Sequence, residues 1–207
     1  MNIYIAVPTF ENIHPATFKS IYDLNKCRCN CIFDFVKGYD CAVARNVIVS
    51  NAMKMKDIDY ILMVDSDVVL PENTLKYFLD DPKEVQLGLY LNKDTENLVK
   101  NNNYAVTMFK MGEQNFTQKF YDWEIKNYRS QKANKVQVHG GGFGCAFVDM
   151  KVFQKLAYPW FNFVSYGDGQ LLSEDLYFCH MCQQANIPVY MDTRIQCGHI
   201  TQYIKEI

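Results

Sequence analysis

The chain has 207 residues, a length that favours a single domain spanning 1–207 with a full hydrophobic core. Its 21 basic and 23 acidic side chains leave a net charge of -2, which offers no electrostatic reason to expect tight DNA or RNA binding. No apolar run reaches the ~18–20 residues of a membrane span, and the start lacks the basic segment of a signal peptide, so the expected location is cytoplasmic.

The first apolar stretch, Ile3 to Val7, reads as a strand stopped at Pro8 and followed by the turn-prone Thr9-Phe10-Glu11-Asn12. Residues 16–24 predict a helix and residues 29–35 a second strand. Gly38-Tyr39-Asp40 marks a turn, with Asp40 placed to cap a helix over 41–55. The run from Tyr60 to Val64 predicts a buried strand, Pro71 the first turn of a helix reaching Leu79, and 85–90 another strand. Strand and helix alternate, which predicts an α/β fold with a central, mostly parallel mixed sheet flanked by helices.

Between Leu91 and Lys135 the pattern weakens. The Asn101-Asn102-Asn103 run and scattered lysines predict loops, with short strands around Tyr104–Phe109 and Phe116–Phe120. Regular structure resumes with strands over 136–138 and 145–148 around the cluster Gly140-Gly141-Gly142-Phe143-Gly144. A short helix is expected over 151–156, and a longer one from an N-cap at Ser173 to about Ala185. The segment 187–191 reads as the final strand, leaving Cys197-Gly198-His199 in the tail.

Two carboxylates follow the apolar strand, in Val64-Asp65-Ser66-Asp67. Strand alternation predicts that Asp65 and Asp67 point to the same side, at the carboxyl end of the strand where open α/β sheets place their ligands. Side by side they would repel each other, so a divalent cation is their natural partner; a solvated acidic loop is the plainer alternative. Ser173-Glu174-Asp175 puts two acids at a helix N-terminus, where capping alone could account for them. Arg45 sits on an apolar helix among Ala42, Val43, Ala44 and Val47. Its charge there requires an anionic partner, either a diphosphate or an internal carboxylate. Gly140 to Gly142 permit close backbone approach to a ligand, or simply a tight turn. Among the eight cysteines, Cys179 and Cys182 form a C-x-x-C on a helix without a second pair at zinc-finger spacing, which makes buried thiols the better reading than a zinc site.

Taken in order, Pro8-Thr9, Ala44-Arg45-Asn46, Val64-Asp65-Ser66-Asp67, Gly141-Gly142-Phe143-Gly144, Ser173-Glu174-Asp175 and Gly198-His199-Ile200 resemble the motifs of small GT-A-fold glycosyltransferases. The similarity is to family-2-like enzymes of viruses and phages, including glycan-building proteins of large algal viruses, and spans almost the whole chain. It implies a GT-A fold, a UDP-sugar donor and a glycan or glycoprotein acceptor, with host cytoplasm as the location for a viral member. It further implies a manganese or magnesium ion held by Asp65, Asp67 and His199. Pro8, Thr9, Arg45, Asp65 and Ser66 would then bind the nucleotide sugar, with Gly141 and Gly142 approaching sugar or acceptor and Trp160 and Phe161 offering an apolar face to a sugar ring. Asp175 would act as catalytic base, and Glu174 would contact donor hydroxyls. The acidic pair that larger members use for uracil has only Asp34 and Asp40 as loose counterparts.

Two other readings fit parts of the chain. Val64-Asp65-Ser66-Asp67 also resembles the nucleophile motif of haloacid-dehalogenase-type phosphatases, with Asp65 attacking phosphate, and Gly167-Asp168-Gly169 resembles part of their late metal motif. That nucleophile normally follows the first strand, whereas here two strands come before it. A catalytically inactive nucleotide- or sugar-binding module is the non-enzyme alternative.

Overall fold

The computed structural model describes residues 1–91, 105–111, 117–167, 169 and 171–200. The readings made for Asn101-Asn102-Asn103, Tyr104, Phe116 and Asp168 fall outside these residues. In chain order the elements are β1 (Asn2–Thr9), α1 (Pro15–Tyr22), β2 (Asn30–Lys37), α2 (Cys41–Lys54), β3 (Tyr60–Val64), β4 (Val68–Val69) and α3 (Thr74–Asp80). Then come β5 (Val85–Leu89), β6 (Ala105–Met111), β7 (Thr117–Tyr121), α4 (Asp122–Ser130), β8 (Lys135–Val138), β9 (Gly140–Gly141) and β10 (Cys145–Asp149). The chain continues through α5 (Met150–Lys155), β11 (Val164–Ser165), β12 (Leu171–Leu172), α6 (Glu174–Gln184), β13 (Val189–Gln196) and β14 (Gly198–His199).

A seven-stranded sheet in the order β2-β1-β3-β10-β5-β13-β8 organises the molecule. Strands β2, β1 and β3 run parallel, as do β5 and β13, while β10 and β8 run against their neighbours. The central strands are largely apolar because both faces are covered. On β3, Ile61 and Met63 face a core shared with α2, α5 and α6, whereas Leu62 and Val64 face a second core under α1 and α3. Tyr4 and Ala6 of β1 join the first core; Ile3, Ile5 and Val7 join the second. Each large side chain buried in these layers contributes about 1.5–3 kcal/mol.

Most expected elements are present within a few residues, with three differences. A helix, α4, occupies a stretch expected to be loop; its first turn is tied by Glu124, whose Oε2 accepts the Tyr121 N–H at 3.0 Å. Pro71 precedes α3 instead of opening it, and its carbonyl accepts the Thr74 N–H. Finally, β13 continues to Gln196, and the residues expected to be tail form β14, which pairs antiparallel with β4.

At the β13–β8 edge of the sheet lies a buried ion cluster. Asp192 of β13 has no exposed surface; its Oδ2 meets Lys135 Nζ at 2.7 Å and Arg194 Nη2 at 2.8 Å. Removing one partner of such a group strands the others' charge in the interior, which costs more than the pair gains when intact. Asp192→Ala is therefore expected to lower stability by about 3–5 kcal/mol in urea unfolding. A loss below ~1 kcal/mol, as for a surface pair, would contradict this role.

Candidate active site

The loop Asp65–Asp67 is held from three sides by backbone hydrogen bonds. The Asp65 N–H donates to Gly144 O at 3.1 Å, the Ser66 carbonyl accepts from His14 N at 2.9 Å, and the Asp67 carbonyl accepts from Ile200 N at 2.9 Å. The last of these extends the β4–β14 pairing, in which His199 stands opposite Val68. A turn closed by the Val68 N–H on the Asp65 carbonyl, at 3.1 Å, ends the strand geometry immediately after Asp65.

That turn separates the two acids. Asp65 continues the side of β3 that carries Ile61 and Met63, and so meets α2: its Oδ1 accepts from Arg45 Nη2 at 2.9 Å. Asp67 turns to His199, with Oδ1 3.8 Å from Nε2. Strand alternation stops where the turn begins, yet both carboxylates face one cleft at the end of the sheet.

Arg45 is 2% exposed, and its Nε also donates to Glu174 Oε1 at 3.3 Å. Among the described residues its partners are internal carboxylates. Burial works against its charge, but Asp65, Glu174 and Asp175 together hold the guanidinium charged beyond its ordinary range. Its remaining nitrogen, Nη1, has no hydrogen-bond partner among the described residues, and Phe143 lies 5.8 Å under the guanidinium. For Glu174 burial dominates and raises its pKa, with the Asp175 charge adding and Arg45 opposing. Asp175 is fixed at the start of α6. Its Oδ1 accepts from the Leu176 N–H at 2.8 Å and from the Ser173 hydroxyl, so Ser173 orients Asp175 rather than capping the helix with its side chain.

A cleft of about 600 Å³ opens at the carboxyl ends of β1, β2 and β3. Pro8, Thr9, Asp65, Ser66, Asp67 and His199 line it, as expected, and Phe10, Tyr39 and Phe163 add aromatic walls that sequence reasoning missed. Arg45 and Glu174 lie buried behind Asp65. Gly141 and Gly142 are buried too: the space beside Gly141 is filled by Met108 and Leu87, and that beside Gly142 by Tyr90. Trp160 and Phe161 are 7% and 1% exposed, inside an aromatic cluster with Phe153, Phe143 and Phe178, and have no face to offer a sugar. Asn46 explains why: its amide bridges Ala42 O and Phe161 O and accepts the Trp160 and Phe161 N–H groups, pinning that loop inward.

The Nδ1 of His199 lies 2.6 Å from the Leu91 carbonyl, which can only accept, so Nδ1 is the donor there and Nε2 is the ring nitrogen turned to the Asp67 carboxylate. In the neutral ring Nε2 would offer a lone pair beside that carboxylate, and mixed carboxylate and imidazole donors suit manganese. Among the described residues no third His, Cys, Asp or Glu joins them in a metal-binding group.

No family model and no curated protein sequence matches the chain. Solved structures do. A197 from STIV aligns with a TM-score of 0.64 at 16% identity, covering 98% of this chain and 87% of that one. GalNAc-T7, solved with UDP, GalNAc and Mn2+, aligns at 0.61 and 12% identity, covering 96% of this chain and 44% of that one. TarS 1-349 of S. aureus, in complex with UDP-GlcNAc, aligns at 0.53 and 11% identity, covering 98% and 60%. The chain thus spans less than two thirds of the latter two. At these identities the likeness establishes the fold, and the fold is GT-A. Asp65 follows the third strand of that fold, so the phosphatase reading lacks its premise of a nucleophile after the first strand.

The Arg45 cluster makes a stability prediction with a defined pH sign. The folded-state pKa of Glu174 lies above its unfolded value, so its contribution is fully present below the unfolded pKa and is lost as pH rises through the folded one. Arg45→Met removes the opposing charge. It should cost about 3–5 kcal/mol near neutrality and steepen the decline in stability as pH rises above the ordinary carboxylate range. Adding Glu174→Gln should flatten that slope. An unchanged pH profile in chemical denaturation of Arg45→Met would contradict the cluster.

Proposed function

We propose that the chain is a metal-dependent glycosyltransferase that moves a sugar from a nucleoside-diphosphate donor, most simply a UDP-sugar, to a hydroxyl of a glycan or glycoprotein. The observation that carries this reading is the gripping of the Asp65-Ser66-Asp67 loop by β14. It delivers His199 to Asp67 at the floor of a cleft large enough for a nucleotide. The UDP in the GalNAc-T7 structure and the UDP-GlcNAc in that of TarS support the choice of donor through the shared fold.

Asp67 and His199 would hold a manganese or magnesium ion, which when bound supplies positive charge against a leaving diphosphate. Asp65, with Oδ1 fixed by Arg45, keeps that loop in place and faces the cleft with Ser66. The ends of β1 and β2 would receive the nucleoside, with Pro8 and Thr9 as walls and Phe10 and Tyr39 as aromatic faces for the base. Buried Glu174 sets the position of Arg45 and the start of α6. Asp175 would take the proton from the acceptor hydroxyl as it attacks the anomeric carbon, since Ser173 and the Leu176 N–H hold one of its oxygens in a fixed orientation. Gly141 and Gly142 would act on the ligand only through the side chains packed on them.

The acid roles separate experimentally. Asp67→Ala should abolish manganese-dependent UDP binding in calorimetry while the protein stays folded. Asp175→Asn should retain that binding and lower transfer from UDP-sugars by about 10²–10⁴-fold. Wild-type transfer by Asp175→Asn would remove it as the base, and undiminished binding by Asp67→Ala would remove it as a metal ligand.

A further inference from the structure

Tyr90, the residue after β5, belongs to none of the motifs above, yet it touches both His199 and the Gly144 backbone that holds Asp65. Its ring occupies the space left by two missing side chains. A Cβ on Gly142 would lie 2.1 Å from the Tyr90 oxygen, and one on Gly144 would lie 2.7 Å from Cζ. The phenol oxygen accepts the Gly144 N–H at 3.0 Å, and the carbonyl of that same Gly144 holds the Asp65 N–H. The ring also packs against the imidazole of His199, with centroids 5.2 Å apart and planes at 84°. The next residue, Leu91, accepts the His199 Nδ1 proton. Burial, reinforced by the nearby Asp65 charge, keeps the phenol neutral.

We infer that Tyr90 is a positioning residue: with the Leu91 carbonyl, its ring locks His199 into one orientation and one tautomer before any ligand arrives. The physical need is clear. An imidazole on a two-residue strand can rotate about its side-chain bonds, and only one ring orientation turns a lone pair towards Asp67. The Leu91 carbonyl selects which nitrogen is protonated, and the Tyr90 ring blocks the rotation that would exchange the two nitrogens. Partners of this kind, one layer behind a ligand, typically change metal affinity by about 10–100-fold when removed. The glycines at 142 and 144 acquire a reason as well, since any side chain there would displace the ring.

The tautomer is read directly by long-range 1H–15N NMR of the imidazoles in metal-free protein at about pH 8, where an ordinary histidine is neutral. The chain has four histidines, and the His199→Gln variant assigns the relevant signal. Wild-type protein should show His199 in the single Nδ1–H form. Tyr90→Leu should show exchanging or mixed tautomers and bind manganese about tenfold more weakly or worse, while Tyr90→Phe, which keeps the ring, should retain the wild-type tautomer. Amide spectra of each variant report whether the fold persists. The proposal is overturned if wild-type His199 is the Nε2–H form or a mixture, a result that needs no variant. It is equally overturned if folded Tyr90→Leu keeps both the tautomer and the manganese affinity. The manganese measurement rests on the transferase reading, whereas the tautomer measurement does not. A locked tautomer in a protein that binds no manganese would therefore count against the former alone.

Discussion

The buried guanidinium of Arg45 is the constraint on which the site depends. It joins α2, the exit of β3 and the start of α6, three elements far apart in sequence, through Asp65 and Glu174. A cation with so little exposure is tolerable only because two carboxylates meet it, and each carboxylate is in turn placed by the need to meet the cation. The arrangement specifies geometry more than it adds net stability. It fixes where the loop leaves β3 and where α6 begins, and those two points carry Asp67 and Asp175.

From that anchor the rest of the cleft follows. Once Asp65 is turned inward, the next residues form a tight turn, and Asp67 emerges towards the opposite wall. That wall is the end of the chain's described portion: β14 adds to β4, and His199 arrives with its ring state already chosen by Leu91. The two acids of the motif thus line one cleft with different neighbours, Asp65 held by Arg45 and Asp67 beside His199.

Much of this was legible in the sequence. The continuous apolar run of 60–64, the capping acid at Asp40 and the alternation of strand and helix predict the sheet and its carboxyl-end cleft, because burial on two faces leaves an unbroken apolar run that a short window reveals. An anionic partner for Arg45 was predictable from its apolar helix, but which anion was not, since that is a tertiary contact between residues 129 positions apart. Alternation failed beyond Asp65, where a turn invisible to periodicity replaced the strand. The α4 helix was hidden by polar composition, and β14 by a length of only two residues. The resemblance implied sugar faces at Trp160 and Phe161, whereas Asn46 hydrogen-bonds that loop into the core. Tyr90 gave no signal of its own; the only hint was the glycine cluster whose missing side chains make room for it.

The central claim, that Asp67 and His199 form a metal-dependent nucleotide site, is tested most directly by thermal unfolding of the wild-type protein with UDP in manganese or in EDTA. A ligand at ~100 times its dissociation constant adds ~2.7 kcal/mol, enough for a clear rise in Tm. The account predicts stabilisation by UDP with manganese and none with EDTA. Equal stabilisation in both, or none in either, would contradict it.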